Sequence, residues 1–153
     1  MQYLKELFGY NVKFADEIIK ALRKIDQERF IGEKISAWGP LRNLVMHLIE
    51  VEDYWINKVI QNKEFRPYDF EDYTDIETIE KRWKEIDGEI ILFLEGLTPE
   101  MLKGERTVKW DKEYSYKLER ILQHLYTHTV HTRGQIVGGI RALGGDVPCV
   151  DII

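Results

Sequence analysis

Residues 41–60 read LRNLVMHLIEVEDYWINKVI, and the fold follows from how this stretch spaces its apolar side chains. Leu41, Leu44, Val45, Leu48, Val51, Trp55 and Val59 recur mostly at intervals of three and four, which puts them on one stripe of an α-helix. Pro40 suits the first turn, where its missing N–H would be unpaired in any case. One helix over about 40–61 is therefore expected. His47 lies about 40° from Val51 around that helix, at the edge of the core face and near Tyr54.

Working outward, the same spacing recurs three times. Leu4, Leu7, Phe8, Phe14, Ile18 and Leu22 predict a first helix over about 3–25. Ile76, Ile79, Trp83, Ile86, Ile90, Phe93, Leu94 and Leu97 predict a third, with Thr74 or Asp75 as its cap. Leu118, Ile121, Leu122, Leu125, Ile136, Ile140 and Leu143 predict a last helix over about 116–143, stopped by Gly144 and Gly145. Between them, 62–73 reads as a loop, TPEM at 98–101 as a turn or short helical start, and 105–116 as a short extended excursion. Four long amphipathic helices in 153 residues define an all-α four-helix bundle, with 1–153 as a single domain. The 62–73 connection is long for adjacent antiparallel helices, so one crossover is expected there.

A chain that is 44% hydrophobic, with 32% charged residues of mixed sign, can bury a core and is not disordered. A net charge of −5 opposes a phosphate-neutralising role, so nucleic acid is excluded as the expected partner. The longest apolar runs, such as IILFL at 90–94, fall far short of the ~20 residues a membrane span needs. A lone Cys149 and the lack of a signal-peptide pattern point to a cytoplasmic protein. Trp38, Trp55, Trp83 and Trp110 read as core or interface anchors.

The last helix contains HLYTHTVHTRGQ at 124–135. His124, His128 and His131 fall within about 60° of one another, and Gln135 joins them in a polar strip beside the apolar stripe. Pairs at i,i+3 or i,i+4 can share a metal, and His47 offers an imidazole from a second helix. Hydrogen-bonded packing at a core edge explains the same residues. With no cysteine cluster and no HExxH, spacing leaves both readings open.

LVMHLIEVEDYW at 44–55, HLYTHTVHTRGQ and the GGDVPCVD that follows at 144–151 resemble the DinB-like, YfiT-related family of four-helix bundles, over about residues 3–151. Asn11 in GYNVKFADEII and the LTPEML shoulder at 97–102 support the resemblance. It implies an often dimeric bundle with a divalent metal, commonly zinc or nickel, held by three histidines: one from helix two and two at i,i+4 in the last helix before Arg-Gly-Gln. Position by position, His47 and His128 match the first two ligands, and the third falls on Thr132. A neutral hydroxyl is a poor replacement for imidazole in a transition-metal site. Three arrangements follow: His47 and His128 joined by His124 or His131, a weak two-histidine site, or polar packing with no metal. Thr132 favours a weakened or lost metal.

Some relatives are thiol-dependent transferases or isomerases in which the metal keeps the thiolate of a low-molecular-weight thiol nucleophilic. The resemblance thus implies, if the protein is an enzyme, a metal-dependent thiol transferase or isomerase, with Arg133 and Tyr54 as candidate contacts for acidic substrate groups. Against it stands a non-catalytic, small-molecule-binding or dimerising bundle that has lost the metal. A metal-free acid–base site ranks last, because no nucleophilic serine or thiol stands in a motif beside the imidazoles.

Overall fold

The apolar stripes form four long helices, and their buried faces merge into one continuous core. The computed structural model describes residues 2–152. Helix α1 spans Gln2–Leu22; α2, Gln27–Gly32, and a hairpin of β1, Lys34–Ser36, with β2, Gly39–Pro40, lead to α3, Leu41–Asp53, which continues through a π-helical segment, Tyr54–Ile60. A 3-10 turn at Phe70–Asp72 precedes α4, Ile76–Glu95. Then come α5, Pro99–Lys103, a second hairpin of β3, Glu105–Lys109, with β4, Glu113–Lys117, and α6, Leu118–Ala142.

Helix α1 packs against α4 and α6, and α3 packs against the same two, so α1 and α3 face each other across one diagonal and α4 and α6 across the other. The long crossovers are therefore the connections α1→α3 and α4→α6, each carrying a short helix and a hairpin. The 61–75 connection, where the loop length pointed to a crossover, joins neighbours instead. Its length is used for lacing. Tyr68 donates its backbone N–H to Glu50 (2.7 Å) and its hydroxyl to Asp53 (2.5 Å), and Arg82 of α4 reaches the same Asp53 oxygen (2.7 Å).

Several boundaries moved for local reasons. Helix one stops at Leu22 rather than Ile25, and Asp26 accepts the Arg29 N–H (3.0 Å) to start α2, which the sequence reading did not anticipate. The last helix begins at Leu118 rather than 116 because Tyr116 is paired with Arg106 in the second hairpin, the form taken by the expected extended excursion. Asp75, not Thr74, caps α4 by accepting the Thr78 N–H (2.7 Å). Thr98 caps α5, with Pro99 in its first turn. Gly144, at φ 74, takes the left-handed position that ends α6. Among the described residues, no helix is long and apolar enough to cross a membrane.

Candidate functional site

Because α3 and α6 pack side by side, the core-edge imidazoles of the two helices meet. His47 and His128 lie edge to face, with ring centroids 5.6 Å apart. The hairpin between β1 and β2 turns at Gly39, φ 91, and Asn43 in the first turn of α3 holds the Trp38 carbonyl (3.0 Å), so the Trp38 indole lies stacked on His47 at 3.8 Å. One turn before His128, His124 lies 6.1 Å from it and edge-on to Trp55 at 4.9 Å. Trp55 in turn meets Trp110, 6.4 Å away, near the tip of the second hairpin. The result is a row of three imidazoles between indoles. Trp55 and Trp83 are core residues as expected, while Trp38 and Trp110 are 45% and 56% exposed and flank the histidines.

Burial lowers the basicity of His47 and His124, and Arg120 adds to the effect at His124. His128 is pushed down furthest, to about 4, by burial first and then by His47, His124 and His131. At neutral pH His128 is thus a neutral imidazole, the form that can ligate a metal. Its Nδ1 is buried and has no hydrogen-bond partner. Such an atom costs free energy unless something pairs with it.

The fit to a metal divides at this point. Two imidazoles sharing a tetrahedral ion at ~2.0 Å have centroids roughly 5 Å apart, and the His47 and His128 centroids, in an edge-to-face pair, are 5.6 Å apart. Thr132, where the resemblance implied a third ligand, is 1% exposed. Among the described residues, no three His, Cys, Asp or Glu side chains come together in a way that could hold a metal ion. His131 is exposed, turned out by the ~100° that separates it from position 132. Tyr54 packs edge-on against Trp55 (5.7 Å) and Phe65 (5.3 Å). Arg133 is 6% exposed, donates to Asn11 Oδ1 (3.1 Å) and lies 4.5 Å over the Phe14 ring, which ties α6 to α1. The structure therefore brings together His47, His128 and His124, and directs His131, Tyr54 and Arg133 elsewhere.

The sequence reading missed a second polar cluster, inside the bundle. Thr129 donates to Glu52 Oε1 (2.8 Å), while Glu52 Oε2 and Asn11 Nδ2 are buried without partners. Burial, then the nearby Asp87, raises the Glu52 carboxyl well above the ordinary range, and burial does the same to Asp87. The signal was available. Asn11 follows Phe8 by three, Glu52 follows Leu48 by four and Thr129 follows Leu125 by four, so each stands on an apolar stripe.

A four-helix bundle crossed on both diagonals, with imidazoles from its second and last long helices meeting at one edge, is the class that fold and site define. The chain belongs to the DinB family, whose sequence profile matches residues 1–153. It is 24% identical to the protein YizA of Bacillus subtilis (strain 168) over 140 residues, covering 92% of this chain and 87% of that protein. A DinB-like protein from Bacillus cereus ATCC 10987 shares the fold with a TM-score of 0.74 at 18% identity, over 99% of this chain and 97% of that one. YfiT from Bacillus subtilis, described as a probable metal-dependent hydrolase with an unusual four-helix bundle topology, aligns with a TM-score of 0.70 at 16% identity, over 94% and 89% of the two chains.

Proposed function

We propose that this protein is a small-molecule-binding DinB bundle whose histidine cluster takes a divalent metal, zinc or nickel, through His47 and His128 alone and therefore weakly. The observation that carries this reading is the buried, unpartnered Nδ1 of His128 beside the His47 ring. The description of YfiT, a bundle of the same fold, as a probable metal-dependent hydrolase makes a bound metal plausible for this chain. A bound divalent ion would supply a Lewis acid with open positions for water or a thiolate. The chain's own part is to present two neutral imidazoles, to hold His47 in orientation under Trp38, and to leave Thr132 where a third imidazole would stand.

A transferase or isomerase that uses a low-molecular-weight thiol is the finer reading, and it rests on the family resemblance. In it neither expected contact for acidic substrate groups stands at the imidazoles: Tyr54 packs against Trp55 and Phe65, and the Arg133 guanidinium is engaged with Asn11. The second reading, a non-catalytic bundle without metal, is favoured by Thr132. Homodimerisation belongs to both, and light scattering in solution reads it.

The test is calorimetric titration of zinc and nickel into the metal-stripped protein, with His47→Ala, His128→Ala and Thr132→His alongside. We expect saturable binding near one equivalent, lost in both alanine variants and tightened roughly tenfold or more when a third imidazole is supplied. Binding unchanged in His47→Ala would remove the histidine cluster from the reading. No binding in the wild type or in Thr132→His would leave the metal-free bundle.

A further inference from the structure

Beside His124 lies a slot that the metal reading does not use. Trp55, Trp110, Tyr116, Arg120, Ile121 and His124 line it, around a volume of about 180 Å³. That is close to the ~150 Å³ cavity that takes one benzene ring, and well below the ~300 Å³ at which sites for drug-sized ligands begin. The slot is therefore sized for one ring.

Its walls are aromatic and its mouth is cationic. Trp55, buried on the π-helical segment, and Trp110, near the hairpin tip, stand at 85° to each other with centroids 6.4 Å apart, so a planar guest can face one indole and meet the edge of the other. Trp110 is 56% exposed, and a ligand in the slot would cover part of it. Arg120 stands one turn before His124, exposed, and among the described residues no carboxylate pairs with it. An aromatic box by itself attracts cations, but a guanidinium at the mouth repels them and the lining holds no acid to offset it. What the lining selects is an anion with a flat, apolar body.

We propose that this slot binds a single-ring aromatic carboxylate, its ring in the corner formed by the Trp55 and Trp110 indoles and its carboxylate on Arg120. The inference deepens the proposed function by naming a ligand class, and it rests on that reading only for what the neighbouring imidazoles do to the bound molecule. Arg120 supplies the planar fork suited to a carboxylate. The neighbouring His124 would stand beside the ring, with His128 6.1 Å further on.

The test is titration of the full chain, held metal-free with a chelator, against benzoate, cyclohexanecarboxylate and benzylamine, read by calorimetry and by the indole N–H resonances in NMR spectra. Benzoate is expected to saturate, to move the Trp55 and Trp110 indole signals, and to bind tenfold or more tightly than the benzylammonium ion. Arg120→Gln, a change at an exposed position, should weaken benzoate about tenfold, and Trp110→Ala should weaken benzoate more than cyclohexanecarboxylate. Absence of saturation up to the solubility limit, equal binding of anion and cation, or full affinity in Arg120→Gln would each overturn the proposal. Since no metal is present, benzoate binding without zinc binding would sink only the metal reading, and the converse would sink only this one.

Discussion

Glu52 shows most clearly what one residue costs this bundle. It is 2% exposed, its Oε1 is satisfied by Thr129, and its Oε2 has no partner. Burial and then Asp87 favour the neutral form, while Thr129, Trp83 and Arg133 pull the other way and lose. The unfolded chain ionises this group in the ordinary carboxylate range, but the fold resists ionisation until higher pH. Its contribution to stability is therefore complete below that range and is lost as pH rises through the raised folded-state value. Glu52→Gln should match the wild type near pH 4 and exceed it above neutrality, by on the order of 1–2 kcal/mol, in urea unfolding at a series of pH values. A constant difference across that series would exclude titration of Glu52 as the cause. The imidazoles differ in kind, since what matters at His128 is an orphaned ring nitrogen beside a second ring.

Among the elements, the 61–75 connection departs most from its appearance in the sequence. Read locally it is a polar, acidic loop. In the fold, Asn62 at φ 54 ends the π-helical segment and the chain returns so that Tyr68 and Arg82 share one Asp53 oxygen, while Asn57 donates to the other (2.7 Å). Arg82→Ala would leave Asp53, 5% exposed, with neutral partners only. We expect a loss of about 2–3 kcal/mol in chemical denaturation, below the value for a fully buried pair because Arg82 is partly exposed. A loss under about 0.5 kcal/mol would mean the lacing is ornamental. The elements legible in advance were those with a local signature: the long stripes and the glycine stop, while TPEM at 98–101 reads as a turn or a short helical start. Helix α2 and the two-residue strand β2 are shorter than the window over which periodicity can be detected, so they left none.

At the scale of the whole molecule, the diagonal arrangement puts α3 beside α6, so a metal held by His47 and His128 would join two neighbouring long helices that are distant in the chain. If the ion binds only the folded state, zinc at ten times its Kd should raise stability by about 1.4 kcal/mol, and Tm by a few degrees for a chain of this size. His47→Ala should remove that rise, and a chelator should leave the metal-free protein unmoved. A rise that persists in His47→Ala would place the ion elsewhere on the molecule.

The sequence by itself determined the number of long helices, the glycine stop of the last one, and the presence of His47 and His128 on core-facing edges. These are readable because helical spacing and capping are properties of neighbours along the chain. Only the tertiary structure decided which helices adjoin, that Arg133 is held by Asn11, and that Trp38, Trp55 and Trp110, from a hairpin turn, a π-helical segment and a hairpin tip, gather around the imidazoles. Those contacts join segments far apart in the chain, and which of them form is set by how two diagonal crossovers close the bundle.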